Sequence, residues 1–91
     1  MSVLVNAQEQ HIRNPDTFEV PTYNELNNIK LGDFVKVCIN SERFWLKVIH
    51  ITGNIIIGEV NNNLYFSDLI IGDQIYIIRD NIFEILKNYN N

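Results

Sequence analysis

The fold is decided by two neighbouring stretches, LGDFVKVCI (residues 31–39) and RFWLKVIHIT (residues 43–52), which predict strands over 34–39 and 43–52. In both, apolar residues alternate with polar ones, which is the period-2 pattern of strands that bury one face. Phe44, Leu46 and Val48 share one phase, whereas Ile49 and Ile51 fall in the opposite phase. A change of phase within one strand indicates a β-bulge or a sharp bend.

A Gly-Asp pair precedes the first strand and recurs later in the chain. LGDFVKV (31–37) resembles IGDQIYI (71–77), since each has an apolar residue, Gly-Asp and then an alternating strand. Glycine adopts positive φ at no steric cost, and an aspartate side chain accepts hydrogen bonds from nearby backbone amides. We therefore interpret Asp33 and Asp73 as turn residues at the starts of two strands of one curved sheet.

Three further segments have strand patterns. They are residues 54–60, 74–78 and 82–86, the last being either a short strand or a helical turn. Gly58 interrupts the first of them and indicates close backbone approach or strong curvature. Asn61-Asn62-Asn63 is predicted to be a turn.

The N-terminal region is predicted to contain little regular structure. Residues 1–20 are interpreted as an irregular or partly extended arm, with residues 3–5 able to form a short strand, because Pro15 and Pro21 exclude a continuous helix. The sequence TYNE (22–25) fits a capping box and predicts a short helix over 23–28. The polar residues 87–91 are predicted to fray.

Together these elements predict one mainly β domain over residues 1–91. The preferred architecture is a small SH3-like β-barrel of about five antiparallel strands over 21–86, with one short N-terminal helix and the extended N-terminal arm. An OB-like barrel, or an open sheet with a covering helix, fits nearly as well. The residues predicted inside are Val35, Val37, Phe44, Leu46, Val48 and Ile77.

Composition limits the classes of function. The net charge is −4, with seven basic and eleven acidic residues, which disfavours binding to duplex nucleic acid. No apolar run approaches the length of a membrane span, and no secretory signal precedes the domain, so we expect a soluble cytoplasmic protein. Ile and Asn are abundant and Ala is nearly absent, a bias typical of AT-rich genomes and compatible with a phage or viral source.

Five segments carry a resemblance to a known family: NPDTFEVP (14–21), LGDFVK (31–36), ERFWLKV (42–48), GEVN (58–61) and IGD (71–73). Residues 14–85 resemble a family of small, mostly bacterial proteins defined only as a domain of unknown function. Asn62-Asn63 departs from the family pattern, which usually has Asp or Asn followed by Pro. The resemblance implies a compact β-rich fold and no particular activity.

The sequence lacks the patterns that catalysis requires. No serine lies in a Gly-x-Ser-x-Gly elbow, no glycine-rich phosphate loop is present, and no metal-ligand spacing occurs. Cys38 and His50 would form a dyad only if their strands paired suitably, and Cys38 lies in an apolar strand where a thiolate is disfavoured. We therefore expect no enzyme activity, no cofactor and no metal.

Two groups of residues are candidates for binding. Alternation places Arg43, Trp45 and Lys47 on the outer face of their strand, where tryptophan and arginine are typical of protein interfaces and could also stack on a nucleotide. In the alternative interpretation, the arm covers Trp45 with Phe18, and Glu42 pairs with Arg43. The second group lies in the loop 61–68.

That loop combines amides with aromatics, and its candidate residues are Asn61, Asn63 and Tyr65. Such a loop suits recognition of a peptide or a small ligand, and equally an ordinary polar loop that its aromatics anchor. The sequence thus predicts a non-catalytic binding module that engages a protein partner through the Trp/Arg face or a sheet edge. The alternative is a protein that binds or sequesters a small nucleotide-like ligand, and a homo-oligomer is compatible with both.

Overall fold

The computed structural model describes residues 4–89. Two short helices precede four strands, and a 3₁₀ turn leads from the fourth strand to a fifth. The elements are α1 Ala7–Arg13, α2 Tyr23–Asn27, β1 Phe34–Ile39, β2 Glu42–Thr52, β3 Ile55–Val60, β4 Gln74–Ile78, the 3₁₀ turn Arg79–Asn81, and β5 Glu84–Leu86.

The five strands form one antiparallel sheet in the order β4-β3-β2-β1-β5. Strands β1 to β4 form a meander, and β5 returns across the sheet to pair with β1. The predicted mainly β domain with about five antiparallel strands is confirmed. The hydrogen-bonded ladders do not close the sheet into a ring, because β4 and β5 each pair with a single neighbour.

The sheet curls around one core. Ile77 of β4 and Ile82, just before β5, belong to the same buried cluster as Val37 of β1, and Ile85 of β5 packs against it. Both edge strands therefore face one apolar interior, which requires a strongly curved sheet. All six residues predicted inside are buried: Val35, Val37, Phe44, Leu46, Val48 and Ile77.

The curvature is built into β2 and β3. The pairing of β2 with β3 shifts between Val48 and His50, which confirms the predicted bulge at the change of phase. Gly58 lies opposite Val48, and a Cβ on Gly58 would lie 2.7 Å from the Cβ of Leu46. The predicted close backbone approach is confirmed, and only glycine leaves room for it.

The two Gly-Asp turns are nearly identical in their hydrogen bonds. The Asp33 carboxylate accepts from the Lys30 N–H at 2.8 Å, and the Asp73 carboxylate accepts from the Ile70 N–H at 3.0 Å. Gly32 and Gly72 have φ values of 89° and 97°, and each donates its N–H to a strand carbonyl. The interpretation of both aspartates as turn residues is confirmed.

The helix α2 begins as its sequence predicts. The Thr22 hydroxyl accepts from the Glu25 N–H, and the Glu25 carboxylate accepts from the Thr22 N–H, so that the capping box is complete. Leu26 is buried in the core and anchors the helix over one end of the sheet.

The prediction of an arm without helix is wrong over residues 7–13. Helix α1 forms there, capped by the Asn6 side chain, which accepts from the Glu9 N–H, and supported by an ion pair of Glu9 with Arg13 at 2.8 Å. Pro15 follows this helix and does not interrupt it. The arm also pairs with β1 beyond the start of β5, since Leu4 bridges to Ile39, whereas Val3 lies outside the described residues.

A buried carboxylate fixes the chain after β5. Asp33 is 1% exposed, and it accepts hydrogen bonds from the Lys87 ammonium and from the Asn88 N–H at 3.0 Å. Burial alone would raise the pKa of Asp33, but the hydrogen bonds from Asn88, Lys87 and Lys30 outweigh it and hold that pKa below its usual range. The frayed tail predicted from residue 87 onwards thus conflicts with the contacts of residues 87 and 88.

Within residues 4–89, the helices are too short and too polar to cross a membrane.

Candidate functional site

The outer face of β2 carries Arg43, Trp45 and Lys47, as alternation predicts. Arg43 and Lys47 are exposed, Trp45 is half-buried, and the intervening Phe44 and Leu46 are buried. Lys47 lies between Phe34 of β1 and Glu59 of β3. The three side chains share a face, but their contacts divide them into separate environments.

Arg43 is directed towards the arm. Its guanidinium lies 4.3 Å from the ring centre of Phe83 and 5.9 Å from that of Phe18. Phe18 and Phe83 are themselves in tilted contact, with ring centres 6.3 Å apart. This cation–π contact uses the arginine to hold the arm on the sheet.

The Trp45 indole is covered by a side chain of the neighbouring strand β1. The Lys36 ammonium lies 4.7 Å from the indole centre, and the same ammonium is 3.5 Å from the Glu84 carboxylate of β5. The interpretation in which Phe18 covers Trp45 is wrong, because Phe18 packs on Phe83 and Arg43. The arm instead covers Cys38 and Phe83, which form a second small core with Ala7.

The asparagines after β3 are attached to the backbone of Trp45. The Asn62 carboxamide oxygen accepts from the Trp45 N–H at 2.7 Å, and the Asn61 N–H donates to the Trp45 carbonyl at 3.0 Å. Asn63 is exposed, and its carbonyl accepts from the Asn62 side chain. Asn62, which the sequence interpretation left out of the site, is therefore the amide that joins this loop to β2.

Glu42 holds the following loop. Its carboxylate accepts from the N–H groups of Tyr65 and Phe66 at 2.8–2.9 Å. The predicted ion pair of Glu42 with Arg43 is not formed. Because this loop is fixed through its backbone, the side chains of Tyr65 and Phe66 are free to face solvent, and they are 87% and 72% exposed.

An apolar surface that the sequence interpretation missed lies at the other edge of the sheet. Tyr76 and Ile78 of β4 pair with Ile57 and Ile55 of β3, which places all four side chains on the outer face. Tyr76 is 73% exposed, Ile55 48% and Ile78 38%. The signal available in the sequence was QIYII (74–78), a strand pattern with three isoleucines, one tyrosine and no charged residue.

Cys38 and His50 occupy different places on the sheet. Cys38 pairs with Arg43 near the arm, whereas His50 lies beyond the bulge and exchanges a hydrogen bond of 2.9 Å with Thr52. Burial raises the pKa of the Cys38 thiol, although the nearby Arg43 opposes that effect. Among the described residues, no group of three or more potential ligands is placed to hold a metal.

A cavity of about 420 Å³ lies between the arm and the loop that precedes β4. It is lined mainly by apolar side chains, with one serine and one aspartate at its border. The lining residues are Leu4, Ile39, Ser67, Asp68, Leu69 and Ile75.

Comparison of the chain with models of protein families, with curated proteins and with solved structures finds no match. The resemblance to the family of unknown function therefore stays a prediction, and the proposals below depend on the contacts of this chain alone.

Proposed function

We propose that this chain is a non-catalytic binding module that takes up an extended segment of a protein partner at the β4 edge. The observation that carries this proposal is the β4 edge itself, which has no charged residue and adjoins the exposed apolar face of Ile55, Ile57, Tyr76 and Ile78. Added strands gain their affinity from backbone hydrogen bonds and their specificity from alternate side chains.

The Trp/Arg face is less suited to this role. Arg43 stacks on Phe83, and Trp45 is half-buried beneath Lys36, so these groups already contact the protein itself. A partner at this face would first have to displace those contacts. At the β4 edge the Ile78 N–H already donates to the Asn81 side chain, and an added strand would pair with residues 74–77.

The chemistry of the edge specifies the partner. Natural edge strands are commonly protected by lysine, proline or a bulge, and QIYII (74–78) has none of these. We propose an uncharged strand that alternates β-branched residues, which is supplied by a different protein. A second copy of this chain is the competing occupant, because β4 is uncharged and could pair with itself about a two-fold axis.

The test uses a fluorescein-labelled peptide of alternating valine and threonine, about eight residues long, which is a typical strand length. We expect amide NMR shifts at residues 74–78 on titration, with little dependence on salt. Ile78→Lys places a charge on the apolar face and should weaken binding by about tenfold or more, since one desolvated charge costs on the order of 1.4 kcal/mol or more.

Ile12→Lys is the matched control. Ile12 is an equally apolar residue of α1 that is 77% exposed and lies outside the sheet, and its change should leave peptide binding unaltered. Peptide binding without shifts at 74–78 would contradict the proposal. Sedimentation that shows dimers, abolished by Ile78→Lys, would instead identify a second copy as the occupant.

We further propose that the curled sheet is a partly open SH3-like barrel. The return of β5 to β1 after the 3₁₀ turn and the core shared by both edge strands support this arrangement. Nuclear Overhauser contacts between side chains of β4 and β5 are the expected result, and their absence would favour an open sheet.

A small ligand is a second candidate, favoured by the cavity between Leu4 and Ile75. Its volume falls in the range of small-molecule sites. The lining is apolar and contains Asp68 but no cation, which suits an uncharged apolar ligand better than a nucleotide. A thermal-shift screen that compares nucleotides with small apolar compounds tests this. Stabilisation by nucleotides would favour the nucleotide-like ligand that is the alternative predicted from the sequence.

A further inference from the structure

A groove follows the outer side of β5, at the opposite edge of the sheet from β4. It consists of two cavities of about 570 and 200 Å³ that share Glu25 and Ile85. One wall is the arm over residues 16–21 with the start of α2, and the other is β5. Within the described residues β5 pairs only with β1, so the groove runs beside an unpaired strand edge.

The groove is strongly acidic. Four carboxylates line its larger cavity, against one guanidinium. They are Asp16, Glu19, Glu25 and Glu84, and the guanidinium belongs to Arg43. Lys36 also lies 3.5 Å from the Glu84 carboxylate, and Lys87 of the smaller cavity pairs with Asp33. With Arg43 and Lys36 set against the four carboxylates, the larger cavity keeps a net negative charge.

Apolar side chains lie between these carboxylates. Val20, Pro21, Phe83 and Ile85 line the same cavity. In an extended segment, successive side chains point to opposite sides. A segment that alternates basic and apolar residues would therefore place its cations by the carboxylates and its apolar side chains on this floor.

We propose that the β5 groove binds an extended basic segment of a protein, which lies alongside β5 as an added strand. This surface is separate from the β4 edge and independent of the function proposed there. Charge complementarity selects the segment, because an acidic cleft concentrates cations and rejects acidic strands. The arm helps to form the site, since α1 and the Phe18–Phe83 contact fix residues 16–21 opposite β5.

The probe is a fluorescein-labelled peptide of alternating lysine and valine, about eight residues long. We expect saturable binding with amide NMR shifts at residues 83–87 and none at 74–78. Affinity should fall steeply between low salt and ~150 mM salt, as screening shortens the range of the rim charges. The peptide of alternating glutamate and valine should not bind.

Asp16→Lys with Glu19→Lys reverses two charges on the arm wall, and both side chains are exposed, so that folding should be retained. The expected loss of affinity is about tenfold or more, in line with interfacial charge pairs. Asp68→Lys is the matched control, because this exposed aspartate lies outside the groove, and it should change affinity much less.

Spermine, a polycation that has no peptide backbone, is the competitor. If spermine competes fully with the peptide and the shifts avoid residues 83–87, the binding is diffuse ion attraction and the proposal is overturned. Shifts at 74–78 alone would assign the peptide to the β4 edge and would likewise overturn it. Spermine competition that leaves the 83–87 shifts of the peptide intact at moderate concentration supports strand addition.

Discussion

The two edges of this sheet are built in opposite ways. Strand β4 has five residues without a charge and opens onto an apolar face with Tyr76 at its centre. Strand β5 has only three residues, carries Glu84, and lies in a groove beside the arm. Since exposed edges invite pairing with other chains, this difference is the basis of the two selectivities that we propose, one for uncharged strands and one for basic strands.

Substitutions of Phe83 and Tyr76 should give the largest difference in stability between the two edges. Phe83 is 3% exposed and supports β5 from beneath, whereas Tyr76 is 73% exposed on β4. Phe83→Ala should cost about 3–5 kcal/mol of unfolding free energy, as for other buried aromatics. Tyr76→Ala should stay within about 0.5 kcal/mol of the parent. Urea denaturation measures both, and equal losses would show that β4 is not a free surface.

The contacts of Asp33 predict that lowering the pH destabilises the β5 side of the sheet first. Because its pKa is lower in the folded state, the native protein binds fewer protons than the unfolded chain. This stabilisation is complete above the unfolded pKa of about 3.9 and is lost as pH falls through the folded pKa. Hydrogen exchange should then accelerate at residues 84–88 before it does so at 74–78.

Asp33→Asn should cost about 2 kcal/mol at neutral pH, since it weakens hydrogen bonds to a buried charge. The same variant should flatten the acid limb of the stability curve. Glu59→Gln, a carboxylate on β3, is the control. If the unfolding free energy of Asp33→Asn fell with decreasing pH in parallel with that of the parent protein, another carboxylate would control acid unfolding.

Trp45 fluorescence distinguishes the environment of the outer face near β5 from that of the arm. Asn62→Ala removes the acceptor for the backbone N–H of Trp45, which should loosen the loop beside this residue and shift the indole emission to the red. Phe18→Ala should leave that emission nearly unchanged, because Phe18 packs on Phe83 and Arg43. A larger shift from Phe18→Ala than from Asn62→Ala would indicate that the arm covers the Trp45 indole.

The smallest expected effect concerns DNA, which should bind to neither edge. The chain has a net charge of −4, and the β5 groove adds a local negative field. No mobility shift of duplex DNA is expected at submicromolar protein in ~150 mM salt, where the screening length is about 8 Å. A shift under those conditions would contradict this expectation.

Local features of the fold could be predicted from the sequence. The bounds of β1 and β4, the bulge in β2, the capping box of α2 and both Gly-Asp turns each depend on residues within a few positions of one another. Helix α1 was also predictable, since Asn6 supplies an N-cap and Glu9 with Arg13 has the i,i+4 spacing. Pro15 was given too much weight, because a proline beyond a helix does not prevent it.

The candidate site was less predictable, because its contacts join distant parts of the chain. Alternation correctly placed Arg43, Trp45 and Lys47 outward, but it could not show that Phe83 would meet Arg43 or that Lys36 would lie on Trp45. Glu42 reaches residues more than twenty positions away. The exposed face of β4 follows from its position at the edge, which pattern alone does not give.

The contacts of Asp33 also favour an order of events in folding. They join residues 54 and 55 positions apart, whereas the β1–β2 hairpin closes through the two-residue turn Asn40-Ser41. Local hairpins form first, and long-range closure is slow because the chain entropy must be lost beforehand. An intermediate with strands β1–β4 in place would therefore hold the Asp33 carboxylate without its Lys87 and Asn88 partners, and would leave the edge of β1 that faces β5 uncovered. We expect such an intermediate to be short-lived only if β5 docks quickly, so that slow docking would favour aggregation.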